Sequence, residues 1–253
     1  DGLLFYRGPA VAQTVQQGQV FNGQYGFVNI SSQSFSDSLL VLRTVKTQAT
    51  AVTETQSFKI APPSPGDTTK FTVAINTVGK GGLNDVTVYV NPKILPEQYY
   101  ENNVIALDNY LNVLVDKTSP ALDVTVDGRY LQNGDFVSPN PVIRAMLIDN
   151  NPFLMVQDTL HMNLFLSYPC ADTSCNPKRI NFSRADVSWT PASPNSYFTV
   201  SFHPTNLPEG QYILQATGSN ASGNMSGAQP YSVSFQIKDA TALILNSVYP
   251  NPS

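Results

Sequence analysis

Apolar and polar residues in this chain trade places at short intervals and do not settle into a helical period. Val20–Ile30 reads Val-Phe-Asn-Gly-Gln-Tyr-Gly-Phe-Val-Asn-Ile, and Val86–Val90 reads Val-Thr-Val-Tyr-Val. Phe71–Ile75 alternates, Leu39–Val45 is rich in apolar residues, and Val104–Val115 sets Leu107, Leu111 and Val113 among polar neighbours. β-Branched and aromatic residues suit a pleated, half-buried surface, and clusters of Gly, Pro, Asn, Asp and Ser bound each run, so these are strands. The 19 prolines remove backbone donors too often for helices to persist.

A break falls at Asp116-Lys-Thr-Ser-Pro120, after which a second series opens at Leu122–Val126. It continues through Val142–Ile148, Leu160–Tyr168, Tyr197–Phe202, Tyr212–Thr217 and Tyr231–Ile237. Asp127-Gly128, Asn133-Gly134-Asp135, Pro208-Glu-Gly210 and Ser222-Gly-Asn224 supply tight turns between them. Many short strands with regular turns predict an all-β fold of two β-sandwiches, residues 1–115 and 116–240, with 241–253 as a linker. No repeat relates the halves, so two different sandwich variants are expected.

Composition narrows the function. Charged residues make up 13% of the 253 positions, about half the usual quarter, while 42% are hydrophobic. That content is enough for a core and argues against disorder. A net charge of −4 with scattered basic residues excludes the basic stripe that nucleic acid requires. No run approaches the roughly 18 apolar residues of a membrane span.

Several stretches carry family resemblances. Phe27-Val-Asn-Ile-Ser31, Phe35-Ser-Asp-Ser-Leu39, Pro65-Gly66 and above all Pro96-Glu97-Gln-Tyr-Tyr-Glu-Asn102-Asn103-Val104 resemble the bacterial adhesion-related CARDB family. That family places an acidic turn and paired asparagines before its last strand. Ser119–Arg129, Gly134–Pro141, Ile148–Phe153, Leu207–Tyr212 and Asn220–Asn224 look like the domain near the C-terminus of large proteins exported by the Bacteroidetes type IX secretion system. These include gingipain-type cysteine peptidases. Tyr249-Pro-Asn-Pro-Ser253 resembles the opening of that system's C-terminal sorting domain.

The resemblances imply two tandem immunoglobulin-like β-sandwich domains on the extracellular or outer-membrane cell surface. They further imply an upstream domain of the same chain, a gingipain-like peptidase, and contact with the secretion machinery through a missing tail. The fragment is then a non-catalytic spacer. The alternative is a cell-surface adhesin or carbohydrate-binding module that meets a surface protein or glycan. In an exported protein, Cys170 and Cys175, which enclose four residues, are expected to form a disulfide that pins a local loop, with free thiols as the other reading. The Bacteroidetes O-glycosylation signal, Asp followed by Ser or Thr and an aliphatic residue or Thr, fits at Ser38, Thr68 and Thr159, as does chance in a Ser/Thr-rich chain.

The remaining chemistry is sparse, and no cofactor is expected. His161 and His203 are the only histidines, and nothing in sequence orients either towards a thiol as covalent catalysis requires. Asp149, Asn150, Asn151 and Asp158 offer clustered oxygens that suit calcium, although turn capping explains such residues equally well. Glu97 and Glu101 are expected to face solvent in a turn. Trp189, the single tryptophan, is expected in the core, and its exposure beside another aromatic would favour sugar binding.

Overall fold

The computed structural model describes residues 1–170 and 176–238, and contacts divide the chain into two units at Asp116/Lys117. Unit 1 contains β1 (Gly2–Tyr6), β2 (Gln13–Gln16), β3 (Val20–Asn29), β4 (Leu39–Thr47), β5 (Thr53–Ile60), β6 (Thr68–Asn76), β7 (Gly82–Val90) and β8 (Val104–Leu114). One sheet has the order β1-β3-β6, the other β2-β8-β7-β4-β5. Neighbours are antiparallel except β2 and β8, which run parallel in the register Gln13↔Leu111.

Alternation along these strands builds the core. On β4, Leu39, Val41, Arg43, Val45 and Thr47 point inward while the intervening residues are half-buried or exposed. They meet Tyr25 and Phe27 of β3, Val73 and Ile75 of β6, Val86 and Val88 of β7, and Leu111 and Val113 of β8. Apolar burial of this extent, between two sheets, is the main stabilising term of the unit.

Unit 2 contains β9 (Ala121–Val126), β10 (Asp135–Val137), β11 (Ile143–Ile148), β12 (Met162–Ser167), β13 (Lys178–Arg179), β14 (Val187–Thr190), β15 (Phe198–Phe202), β16 (Gly210–Gly218) and β17 (Tyr231–Ile237). Its sheets are β14-β15-β11-β9 and β10-β17-β16-β12-β13. Here too one pair is parallel, β10 with β17. Val124, Ile143, Leu147, Phe198 and Phe202 from the first sheet share a core with Leu164, Tyr212, Leu214 and Phe235 from the second.

The two units are closer in topology than the sequence expectation of different variants, and differ in one edge strand. Strand for strand, β1–β5 correspond to β9–β13 and β6–β8 to β15–β17, with the same neighbours in each sheet. Both first strands break and cross, so that the opening half pairs in one sheet and the second half pairs parallel to the last strand of the other. The single topological difference is β14, an extra edge strand beside β15. Equal topology with unrelated sequence is the normal outcome when pattern, not identity, specifies a sandwich. The described residues therefore form two tandem immunoglobulin-like β-sandwiches.

Candidate functional site

Glu97 is not a solvent-facing residue. It lies between β7 and β8, where Asn91 ends the outgoing strand with a left-handed φ of 50°. Its Oε1 accepts from Asn103 Nδ2 at 2.8 Å and from Asn91 Nδ2, and its Oε2 accepts from the Gly2 N–H at 2.6 Å. Asn91 Oδ1 also accepts the Leu95 N–H at 2.7 Å. The acidic turn with paired asparagine is thus a clamp that joins the first strand of unit 1 to the approach of the last. Asn103 is fully buried, so its amide requires these partners. The sequence marks this stretch as an acidic turn with paired asparagines, Asn102 and Asn103; nothing in it shows that Glu97 reaches Gly2.

A second polar cluster closes the free edge of unit 1. Arg43, pointing into the core from β4 and 2% exposed, donates through Nη1 to the Ala74 carbonyl on β6 at 2.8 Å. Its Nη2 pairs with Glu54 of β5, and Lys80 Nζ lies 2.5 Å from the other Glu54 oxygen. The hydrogen bond from Lys80, helped by both nearby cations, holds the Glu54 carboxyl below its ordinary range against the opposing effect of burial. Phe58 and Phe71 meet edge-on along the same side, with centroids 6.0 Å apart. Among the described residues unit 1 has no strand beside β6, where unit 2 places β14 beside β15.

The calcium candidates are divided. Asp149, Asn150 and Asn151 line one small pocket, of about 150 Å³, which Asp158 does not line. Two of the three already serve as turn acceptors: Asp149 Oδ1 takes the Asn150 N–H at 3.0 Å and Asn151 Oδ1 the Phe153 N–H at 2.9 Å. Asp158 Oδ1 takes the Leu160 N–H at 2.9 Å and caps the 3-10 turn Thr159–His161. Among the described residues no group of three or more His, Cys, Asp or Glu is arranged to hold a metal.

His161 Nδ1 lies 3.3 Å from Ser219 Oγ, and no carboxylate bonds the ring among the described residues. His203 follows β15, its N–H donating to the Asp186 carbonyl at 2.8 Å. Cys170 belongs to the described residues but Cys175 does not, so the expected bridge between them falls outside, as does the segment 241–253 with its Tyr-Pro-Asn-Pro stretch. Of the glycosylation candidates, Thr68 is exposed while Ser38 and Thr159 are half-buried. Ser38 donates its N–H and Oγ–H to Asp37, and these bonds lower the Asp37 carboxyl pKa. Trp189 is not in the core: it is 41% exposed on β14, with its ring centroid 6.0 Å from that of the buried Phe198. The placement of a lone Trp on an edge strand cannot be read from local sequence.

No protein-family model and no curated protein matches this chain. Similar solved structures include the CARDB domain of a Pyrococcus furiosus protein in complex with di-metal ions, at 15% identity over 45% of this chain and 88% of that one, with a TM-score of 0.36. Dimeric latent PorU from Porphyromonas gingivalis is similar at 13% identity over 94% of this chain, with a TM-score of 0.36; the match spans 24% of that protein. The fibronectin(III)-like modules of Clostridium thermocellum CbhA are similar at 11% identity over 98% of this chain and 100% of theirs, with a TM-score of 0.31. At such identities these likenesses assign no activity to the chain.

Proposed function

We propose that this chain is a non-catalytic spacer, an accessory pair of immunoglobulin-like modules within a cell-surface protein exported by the type IX system. The observation that carries this reading is that each unit closes a core of its own from both of its sheets. The Glu97 clamp and the Arg43 cluster spend their polar groups on fastening strands to one another, which is a structural use. The CARDB-like stretch around Glu97 and the ordered stretches from Ser119 to Asn224 support the same setting. An upstream domain of gingipain-like peptidase type is then what the modules carry, and a sorting domain continuing from Tyr249-Pro-Asn-Pro is what meets the secretion machinery.

Domain exchange in the full-length protein tests this. Replacing residues 1–238 by two unrelated β-sandwich domains of similar length is expected to preserve export and the activity of the carried domain. If the exchanged protein reaches the surface but its carried domain is inactive or unattached, the modules do more than space. Peptide hydrolysis by the purified fragment alone would overturn the non-catalytic assignment.

A further inference from the structure

The two units share a topology but finish one side of the sandwich differently. In unit 1 that side is sealed by Arg43 reaching Ala74 and by Phe58 against Phe71. In unit 2 the chain leaves β13, crosses between the sheets, and returns as β14, which extends the sheet beyond β15. The crossing leaves an open cleft of about 390 Å³ where β13, its connection and β14 meet. Thr159 and Trp189 line it with the run Arg179-Ile-Asn-Phe-Ser183, and its surface is more polar than apolar.

Trp189 stands opposite Val200 in the β14–β15 register, on the inward side of its sheet, yet remains 41% exposed because the facing sheet stops at the two-residue strand β13. Phe198, fully buried, packs against the indole and fixes it. Among the described residues the indole N–H has no acceptor and the Arg179 guanidinium no ion-pair partner. Asn181 Oδ1 is occupied by the Ser183 N–H at 2.9 Å, which orients that side chain and leaves its amide N–H groups to the cleft. A broad aromatic face on a rigid support, ringed by unspent donors, is a recognition arrangement rather than a packing one.

We propose that this cleft binds a pyranose residue of a glycan. One face of a pyranose carries axial C–H groups that stack on an indole, while its rim carries hydroxyls, each both donor and acceptor. Trp189 supplies the stacking face, and Asn181, Ser183 and Thr159 supply partners for the rim. An apolar peptide side chain would need an apolar slot, and this cleft is lined mainly by polar groups. The assignment is independent of the spacer reading, which it neither needs nor excludes.

The sole tryptophan of the chain is the one in the cleft, so tryptophan emission, excited beyond the absorption of the 12 tyrosines, reports on this site alone. The purified chain is titrated with two oligosaccharide series, neutral glucose and N-acetylglucosamine oligomers and uronate oligomers, with calorimetry in parallel. The expected result is a saturable change in emission with at least one series. Trp189→Ala then weakens binding at least about tenfold, the loss of roughly 1.4 kcal/mol of contact. The double variant Asn181→Asp/Ser183→Ala, which keeps the Oδ1 acceptor for the residue 183 N–H and removes the amide and hydroxyl donors at two exposed positions, weakens it with an unchanged melting temperature and covers the case in which Trp189→Ala fails to fold. The proposal is overturned if neither series changes the emission or gives heat, if binding persists in either variant, or if an apolar peptide displaces the sugar.

Discussion

Glu97 Oε1 accepts a hydrogen bond from Asn103 Nδ2 at 2.8 Å while its Oε2 holds the Gly2 N–H at 2.6 Å, so one carboxylate bridges the first strand of unit 1 and the turn before the last. Asn91 completes the set from the end of β7. Three donors converge on a single side chain through its two carboxyl oxygens, an arrangement that an amide cannot reproduce. Glu97→Gln places an N–H₂ where one of these donors now points. Urea unfolding is expected to show a loss of about 1–3 kcal/mol, the scale for a charge-assisted bond left unmade. An unchanged midpoint would show that the clamp contributes nothing.

Glu54 gives unit 1 an acid-sensitive point. Its folded-state pKa is lowered, first by the hydrogen bond from Lys80, relative to an ordinary value near 4.5. A depressed carboxyl contributes fully above the unfolded value and loses its contribution as pH falls through the folded one. Glu54→Gln should therefore cost about 1–3 kcal/mol at neutral pH, because Arg43 and Lys80 keep their buried charges without a counter-ion. One-third exposure of Glu54 keeps the figure below that of a fully buried pair. Below about pH 4.5 the gap between the two proteins should narrow, as read from melting temperatures across an acid series.

Gly210 opens β16 at a φ of 137°, and a Cβ there would lie 2.6 Å from Pro169 Cγ, a ring with no freedom to move aside. Gly128, at a φ of 74°, has open space around it. Gly128→Ala pays only for backbone conformation, on the order of 1–2 kcal/mol. Gly210→Ala adds a steric cost of about 1–3 kcal/mol and should melt clearly lower. Equal melting temperatures would mean that the β12–β13 connection yields.

Tyr110 donates its phenol proton to the Pro9 carbonyl at 2.7 Å and accepts from the Tyr6 hydroxyl at 2.8 Å, which ties the crossing between β1 and β2 to the last strand. Tyr110→Phe should cost about 1–2 kcal/mol by leaving both partners unsatisfied. Burial, and then the hydrogen bond with Tyr6, raise the Tyr110 pKa above the usual 10. Stability should thus be complete below pH 10 and decline above it, less steeply in the variant. Denaturant curves at neutral and alkaline pH separate the two effects.

The strands that sequence exposes most clearly are those whose two faces differ. Val86-Thr-Val-Tyr-Val90 and Leu39–Val45 alternate because one side meets the opposite sheet, and both are strands in the fold. β5 went unmarked because Thr-Glu-Thr-Gln-Ser-Phe-Lys-Ile lies at a sheet edge and buries only Ile60 fully. An edge strand held by backbone pairing alone has no need of a hydrophobic signature. β14 escaped for the same reason, and with it the position of Trp189. Local rules weighed Trp189 as core on its size, whereas its exposure depends on β13 being two residues long on the other sheet.

By itself, then, the sequence determined the all-β character of this protein and its sandwich cores, since alternation with a period of two has to bury one face of each strand. Only the tertiary structure decided what its polar and aromatic residues do. Glu97 reaches Gly2 across 95 positions, Arg43 reaches Ala74 across 31, and Trp189 shares a cleft with Asn181 only where the chain crosses between sheets. A side chain's partner is fixed by which strands lie opposite one another, and that long-range pairing has no local record in the chain.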